Sequence, residues 1–202
     1  MDSDQINTIS DGGEPEPKAT QASRSGFLHF VLDVLETLVL SVLLFAGINA
    51  LTARIRVDGP SMQPTLHTGE FVIVNKLAYR FGGPKTGDVI VFHYPRDPEQ
   101  EYIKRVIGAP GDTVKVQSGQ VYVNGVPLNE PYIAAKAAYP DQEWTVPADS
   151  LFVLGDNRNN SSDSHSWGFV QMNYVIGKAM FIYWPPQQWG VITHPSTANA
   201  AP

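Results

Sequence analysis

The sequence predicts a mainly β protein, in which an antiparallel barrel or sandwich-like domain follows a single N-terminal transmembrane helix. Two observations carry this prediction. Residues 27–53 form one long apolar segment, and the chain after it consists of short runs rich in Val, Ile, Tyr and Phe, separated by Gly, Pro, Asp and Asn. These runs follow one another without helical periodicity between them, which favours antiparallel pairing over a parallel sheet.

The bulk composition excludes several classes of protein. The 202 residues are enough for one ordinary domain with an appendage. The net charge of -6 argues against a nucleic-acid partner. Because the chain has no cysteine, it has no disulfides, no thiolate nucleophile and no thiolate metal site. No His-Glu-x-x-His motif or paired acidic cluster indicates a metal site, so we expect neither a metal nor a cofactor.

The first 53 residues divide into a polar tail and an apolar helix. Residues 1–26 are acidic and rich in Gly, Pro and Ser, a composition typical of disorder. No residue from Thr37 to Ala53 is charged, and these positions alone span about 25 Å as a helix, against a hydrocarbon core of roughly 30 Å. A buried helix and a cleaved signal peptide are the alternatives to a membrane span. Basic residues lie on both sides of the segment, so charge does not decide its orientation.

The β-rich region is predicted to cover residues 54–190 and to be followed by a flexible tail, residues 191–202. The Asn124-Gly125 pair between two apolar runs is typical of a two-residue β-hairpin. The predicted strands lie within residues 70–76, 87–95, 100–108, 112–117, 120–128, 150–156 and 177–184.

Ser61 is the first candidate for chemistry. It lies in "VDGPSMQPTLHTGE", residues 57–70, where Gly59, Pro60 and Pro64 impose an irregular backbone directly after the apolar segment. A serine on a rigid turn can expose its hydroxyl beside a backbone N–H, as a nucleophile with an oxyanion hole requires. The alternative is a capping serine in a Pro/Gly turn. The stretch does not match the Gly-x-Ser-x-Gly nucleophile motif.

A serine nucleophile needs a base, and the sequence offers two kinds. A Ser-His-Asp arrangement would recruit one of His67, His93 and His165. The other possible base is Lys104, which alternation in a strand places on one face with Tyr102 and Val106. An amine in that setting is either desolvated, so that its pKa falls, or extends to water along an apolar surface. The histidines are His29, His67, His93, His165 and His194.

The third candidate element is "GDNRNNSSDSHSWGF", residues 155–169. A run this dense in Asp, Asn and Ser between two apolar strands predicts a loop held by its own hydrogen bonds. It is either an ordinary surface loop or one whose acids, hydroxyls and Arg158 orient a nearby amine.

Together these stretches resemble the type I signal peptidases, membrane-anchored endopeptidases with a Ser-Lys dyad. The resemblance covers nearly everything from residue 55 to about residue 184, and the four motifs occur in the family's order behind an N-terminal membrane helix. The matching motifs are "GPSMQPTL" (59–66), "GDVIVF" with "YP" (87–95), "YIKRVIGAPGD" (102–112) and "GDNRNNSSDS" with "WG" (155–168).

The resemblance implies a role for each matching residue. Ser61 would be the nucleophile, with its backbone N–H as one oxyanion donor, and Lys104 would be the general base. Ser161 would hydrogen-bond the Lys104 amine, and Asp163 would belong to the supporting polar network. No metal or cofactor is needed. The residues implied for the substrate pockets are Met62, Leu66, Tyr102 and Ile103.

The same resemblance implies the biological activity. The protein would be a membrane-bound serine endopeptidase that removes N-terminal signal peptides from exported preproteins, cutting after small residues in an Ala-x-Ala pattern. Its partners would be these preproteins and the lipid bilayer, which the candidates Trp184 and Trp189 would contact, and it would act as a monomer. Residues 1–26 would be cytoplasmic and the peptidase domain, residues 54–190, extracytoplasmic, in the plasma membrane or another internal membrane.

Two positions and one region depart from patterns found in the family. Gly59 stands where some members have a serine that donates a second oxyanion hydrogen bond. His165 stands where many members pair an arginine with the aspartate equivalent to Asp163. The extra β-domain of larger members is reduced to residues 113–150. The rival hypotheses are a self-cleaving repressor-type Ser-Lys peptidase and a membrane-tethered β-barrel binding module whose Ser61 and Lys104 are structural.

Overall fold

The computed structural model describes residues 21–195, with side chains from residue 26 onward. Within this range all strand pairs are antiparallel, which confirms the predicted mainly β class behind an N-terminal apolar helix. The helices are α1 (Gln21–Leu51) and α2 (Ser164–Trp167), with 3₁₀ turns at Met172–Tyr174 and Pro186–Gln188. The strands are β1 (Thr52–Arg56), β2 (Phe71–Asn75), β3 (Val89–Tyr94), β4 (Asp97–Gly108), β5 (Thr113–Gln117), β6 (Gln120–Val123), β7 (Val126–Pro127), β8 (Gln142–Thr145), β9 (Ser150–Leu154), β10 (Val170–Gln171), β11 (Val175–Trp184) and β12 (Gly190–Val191).

Helix α1 has the length and composition of a membrane span. Its apolar part, Gly26–Leu51, is 26 residues long, which is about 39 Å of helix against a hydrocarbon core of roughly 30 Å. The hydroxyls of Thr37 and Ser41 donate to carbonyls one turn earlier, so these polar groups are satisfied within the helix, as a lipid environment requires. The large apolar side chains of this segment are 41–69% exposed.

The bounds of α1 differ from the predicted 27–53. The helix begins at Gln21, inside the predicted disordered tail, and residues 1–20 of that tail lie outside the described residues. It ends at Leu51 because Thr52 opens β1 and pairs with Asn75 of β2. The composition of the apolar run therefore located the helix, whereas pairing with a later strand determined where it ends.

The larger sheet positions the site. Its strand order is β1-β2-β11-β3-β4-β9-β10, with β12 pairing with β11. Alternation along β2 buries Val72 and Val74 completely, as expected for a strand with one face in the core. The main hydrophobic core lies against this face and includes Val57, Met62 and Leu66 from the segment between β1 and β2. This segment carries Ser61, and β4 carries Lys104.

A smaller sheet with the order β7-β6-β5-β8 occupies most of the predicted extra region, residues 113–150. The predicted hairpin at Asn124-Gly125 is confirmed: both residues have positive φ (52° and 80°), and Val123 pairs with Val126 across the turn. Valines from β5 and β6 form a separate core with Phe152 of β9. The smaller sheet is thereby packed onto a strand of the larger one.

The predicted flexible tail, residues 191–202, is wrong for its first part. Val191 pairs with Phe181 of β11, and the backbone N–H of Ile192 donates to the Met180 carbonyl. Ile192 is only 3% exposed and belongs to the main core. The few apolar residues after a Pro-rich stretch did not predict a strand. They adopt a fixed structure because they pack against β11. Residues 196–202 lie outside the described residues.

A fully buried ion pair joins β4 to the loop after β9. The guanidinium of Arg105 donates to both carboxylate oxygens of Asp156, at 2.8 and 2.7 Å. It also donates to the carbonyls of Gly87 and Thr193, and it lies 3.9 Å from the centroid of the Tyr132 ring. A guanidinium is always charged, so its burial requires this complete set of partners. The Arg105 side chain therefore connects β4 to four other segments of the chain.

We predict that Arg105→Met destabilises the protein by about 3–5 kcal/mol, because the Asp156 carboxylate would remain buried without its cation. Thermal melting of the full chain in detergent, followed by circular dichroism, measures the effect. Arg96→Met is the matched control, because Arg96 is an exposed residue between β3 and β4. Equal melting temperatures for the two variants would contradict this role of the ion pair.

Candidate active site

The turn that carries Ser61 is built by its neighbours. Gly59 has a φ of +84°, a conformation that side chains rarely adopt. Beyond the serine, Met62 and Leu66 are both 0% exposed, and the Leu66 N–H donates to the Met62 carbonyl at 2.9 Å. The Ser61 carbonyl accepts a hydrogen bond from the Asn157 N–H at 3.0 Å. Buried side chains and the loop after β9 thus hold the serine backbone in place.

Lys104 lies in the middle of β4 and reaches Ser61. Its Nζ donates to Ser61 Oγ at 2.8 Å and to the Ile103 carbonyl at 2.9 Å. The amine also lies 5.2 Å from the centroid of the Tyr102 ring. The residue is 4% exposed, so the side chain does not extend to water. Of the two alternatives left by the sequence, the structure shows the desolvated amine.

Burial lowers the pKa of the Lys104 ammonium from 10.5 to about 8. Desolvation is the dominant cause because it disfavours the charged form. The negative charges of Asp163 and Asp156 oppose it and raise the pKa. The amine is therefore substantially neutral at mildly alkaline pH, as a proton acceptor must be.

Asp163 is buried beside this pair. Its Oδ2 accepts the Gly155 N–H at 2.9 Å, and its Oδ1 lies 2.6 Å from Nδ1 of His165. Asp163 also caps α2 by accepting the His165 N–H. Many family members have an arginine at the position of His165. The contact with Asp163 is nevertheless present here, with the imidazole of His165 as the partner of the carboxylate.

Ser161 is close to the site but does not make the contact implied by the resemblance. The structure contains no hydrogen bond between Ser161 Oγ and Lys104, and this buried oxygen has no partner among the described residues. The side chain packs against Gly155, where an added Cβ would overlap it and the Ser61 carbonyl oxygen. The hydrogen bond predicted between Ser161 and the Lys104 amine is therefore absent from this geometry.

A cleft of about 470 Å³ opens beside the two residues. Tyr102 and Ile103 line it, as predicted. Met62 and Leu66 do not: both are completely buried in the main core, because the turn directs them inward while Ser61 faces the cleft. Gly59, singled out from the sequence, also lines the cleft. The lining residues that the sequence did not indicate are Ile55, Arg56, Asp58, Pro60, Gln100, Glu101, Asn160 and Ser162.

Other contacts of the site also escaped prediction from the sequence. Thr65 donates its hydroxyl to Asp156, and the side-chain amide of Asn157 donates to the Pro60 carbonyl. These bonds tie the serine turn to the loop after β9 and depend on residues about 90 positions apart. In the sequence, only the high density of Asp and Asn in residues 155–163 indicated that this loop forms hydrogen bonds, and it did not indicate with which segment.

The histidines have other partners. His67 is paired with Glu70, His93 with the Pro98 carbonyl, and His194 accepts the Val89 N–H through Nδ1. Among the described residues, the side-chain bond to Ser61 Oγ comes from Lys104. Within the same residues, no group of three or more His, Asp or Glu side chains is placed to hold a metal ion.

Comparison with known proteins decides the family. The model of the family described as "Signal peptidase, peptidase S26" matches residues 31–184. The chain is 42% identical to a signal peptidase I of Leptolyngbya laminosa, over 94% of this chain and 98% of that protein. The chain belongs to the signal peptidase family, peptidase S26.

Two further relatives illustrate the range of this family. The chain is 32% identical to "Thylakoidal processing peptidase 1, chloroplastic" of Arabidopsis thaliana, over 93% of this chain and 59% of that protein. A crystal structure of a signal peptidase I from Enterococcus faecalis V583 shares 38% identity, with a TM-score of 0.43, and covers 47% of this chain and 95% of that chain.

Family membership makes this protein a serine peptidase and hydrolase with signal peptidase I function. The apolar helix α1, together with the relatives named signal peptidase I, indicates membrane association. The Ser61 and Lys104 pair lies within the residues matched by the family model.

Gly59 provides no side-chain hydrogen-bond donor to the cleft. It lines the cleft, and the space around a Cβ at this position is empty. A serine side chain would therefore fit sterically, but the φ of +84° would strain any residue with a Cβ. The glycine is explained by the backbone conformation of the turn.

We predict that Gly155→Ala displaces the Ser61 backbone, because the new methyl group would overlap the Ser61 carbonyl oxygen and Ser161. Overpacking of this kind typically costs about 1–3 kcal/mol, and a displacement of about 1 Å can reduce turnover roughly a hundredfold. Gly82→Ala is the control, because no atom lies within 4 Å of a Cβ there. Peptide cleavage and thermal melting are measured for both variants, and wild-type turnover in Gly155→Ala would refute the proposed packing constraint.

Proposed function

We propose that Ser61 is the nucleophile and Lys104 the general base of a peptidase that removes N-terminal signal peptides from exported preproteins. The observation that carries the proposal is the 2.8 Å contact between Lys104 Nζ and Ser61 Oγ, made by an amine that is 4% exposed. Burial lowers the pKa of this amine to about 8, so a large fraction is neutral near that pH and can accept the hydroxyl proton.

The reaction is an acyl transfer in two halves. As Ser61 Oγ bonds to the scissile carbonyl carbon, its proton passes to the neutral Lys104 amine, and the Ser61 backbone N–H donates to the oxyanion. The C–N bond then breaks, and the Lys104 ammonium gives its proton to the leaving amine, which leaves an ester on Ser61. Lys104 next takes a proton from water as the water attacks this ester. The signal peptide leaves as a carboxylic acid, and Ser61 recovers its proton from Lys104.

We further propose that the enzyme cuts after small residues in an Ala-x-Ala pattern. Support comes from the lining of the cleft, which includes Tyr102 and Ile103, the two residues directly before Lys104 on β4. Ile55 and Arg56 of β1 also line the cleft, and β1 is the edge strand of the larger sheet. An exposed strand edge can pair with an extended peptide. An extended peptide presents alternate side chains to the same surface, which supports selection at the first and third positions before the cut.

The membrane anchor has a physical purpose in this proposal. A preprotein is held in the bilayer by its own apolar segment, so confining enzyme and substrate to one surface raises their effective concentration. The exposed rings of Trp184 and Trp189 support the bilayer as a second partner, because Trp favours the membrane–water interface. The enzyme would be a single-pass monomer with residues 1–26 in the cytoplasm and its peptidase domain outside, in the plasma membrane. The thylakoidal name of one relative supports another internal membrane as the alternative.

We predict that Ser61→Ala and Lys104→Ala each abolish preprotein cleavage, and that the double variant is little worse than either single one. Groups that act as a unit are non-additive because removing one disables the other. The assay incubates the detergent-solubilised full chain with a preprotein. His93→Ala is the control, since His93 bonds a backbone carbonyl outside the dyad. Cleavage by Lys104→Ala at more than about a tenth of the wild-type rate would refute the dyad.

The pH profile provides a separate prediction. Below about pH 8 Lys104 is protonated and cannot accept the serine proton, so kcat/KM should rise with pH through an apparent pKa of about 8. The measurement uses a peptide without groups that titrate in this range. A histidine base would give a rising limb near pH 6 to 7. Such a limb, if it were lost in His165→Ala, would assign the base to histidine.

A further inference from the structure

The connection between β7 and β8, residues 128–141, braces the loop that follows β9. Both terminal nitrogens of the buried Arg158 guanidinium bond to the carboxylate of Glu130. The side chain of Asn159 accepts the Ala138 N–H at 2.7 Å and donates to a carbonyl of the same connection. The connection between β7 and β8 is therefore joined to the loop after β9 by hydrogen bonds and an ion pair that do not involve Ser61 or Lys104.

A further contact of this connection is made with His165, the partner of Asp163 near Lys104. The ring of Tyr139 stacks on the ring of His165, with centroids 4.2 Å apart and planes 2° from parallel. His165 Nδ1 lies 2.6 Å from Asp163 Oδ1, and the other oxygen of Asp163 accepts the Gly155 N–H. The buried hydroxyl of Tyr139 has no hydrogen-bond partner among the described residues. Tyr139 thus acts on His165 through its ring.

We propose that His165, held by Tyr139, is a positioning residue that sets the proton affinity of Lys104 through the charge of Asp163. The inference rests on the proposed function, in which Lys104 is the base. A buried carboxylate near the amine favours the ammonium, and an N–H donor on that carboxylate disperses its negative charge. The identity of residue 165 then determines how strongly Asp163 opposes the effect of burial on Lys104.

The charged and titratable groups around this arrangement are few. His165 faces Asp163 and Tyr139. The Lys104 amine faces the charges of Asp163 and Asp156, together with the Tyr102 ring. The groups that act on Tyr139 itself are Asp163, Arg158 and Glu130.

Two substitutions of His165 should shift the pH profile in opposite directions. His165→Phe keeps a ring against Tyr139 but removes the donor, so the limb of kcat/KM should move to higher pH by about half a unit to one unit. Activity at pH 7 should then fall about three- to tenfold, with the alkaline plateau retained. His165→Arg supplies a permanent cation, so the limb should move to lower pH and activity at pH 7 should rise. Shifts in the same direction, or an unmoved limb, would overturn the proposal.

Variants of Tyr139 and a matched histidine complete the test, all in the full chain in detergent. Tyr139→Phe should behave as wild type because the hydroxyl has no partner. Tyr139→Ala should move the rising limb of kcat/KM to higher pH, as His165→Phe does. The Tyr139→Ala result decides the question if His165→Phe does not fold, and a wild-type limb there contradicts the brace. His67 is the control histidine, since it pairs with Glu70. His67→Phe and His67→Arg should leave the limb in place, and a shift as large as that of the His165 variants would show a non-specific effect and overturn the proposal.

Failure of this inference is distinguishable from failure of the proposed function. If Lys104→Ala retains cleavage, the base has been assigned wrongly and the proposed function fails with it. If Lys104→Ala is inactive and the wild-type limb lies near pH 8, but the His165 variants do not move that limb, the dyad stands and the positioning role of His165 is refuted.

Discussion

The architecture of the site depends on the buried ion pair between Arg105 and Asp156. Strand alternation sends Lys104 and Arg105 to opposite sides of β4, and both side chains are buried. The guanidinium cannot lose its proton, so it must be compensated, and Asp156 provides a two-oxygen partner. Asp156 also accepts the hydroxyl of Thr65 from the segment that follows Ser61. The same carboxylate therefore fixes both the strand that carries Lys104 and the turn that carries Ser61.

Local patterns, together with motifs in the order of a known family, were sufficient for most of the strands, the hairpin and the contact between Lys104 and Ser61. Val72 and Val74 alternate with partly exposed residues, and Asn124-Gly125 adopts the positive φ angles that its residue types favour. Lys104 was recognisable because a charged residue between apolar neighbours on one strand face needs an explanation. Each of these inferences uses only the preferences of a few consecutive residues, together with motifs whose order matched a family.

The errors share a different cause, because they concern packing between distant segments. Met62 and Leu66 are apolar and lie next to Ser61 in sequence, yet the turn buries them in the core and leaves them out of the cleft. Ile192 is held in place by its hydrogen bond to β11 and by packing in the main core. The bond expected of Ser161 depends on the orientation of one hydroxyl against Gly155. Composition does not encode such orientations, since they are decided by which segments meet in the fold.

The balance of forces on Lys104 explains why the site combines burial with two carboxylates. A fall in pKa from 10.5 to about 8 corresponds to roughly 3 kcal/mol of disfavoured charging. A stronger fall would give an amine that is neutral at all relevant pH values but too weakly basic to take the serine proton or to hold it for the leaving amine. Asp156 and Asp163 restore part of the proton affinity, while Arg105 and His165 hold them in place. The desolvated amine sets the direction of the shift, and the partners of the two carboxylates set its extent.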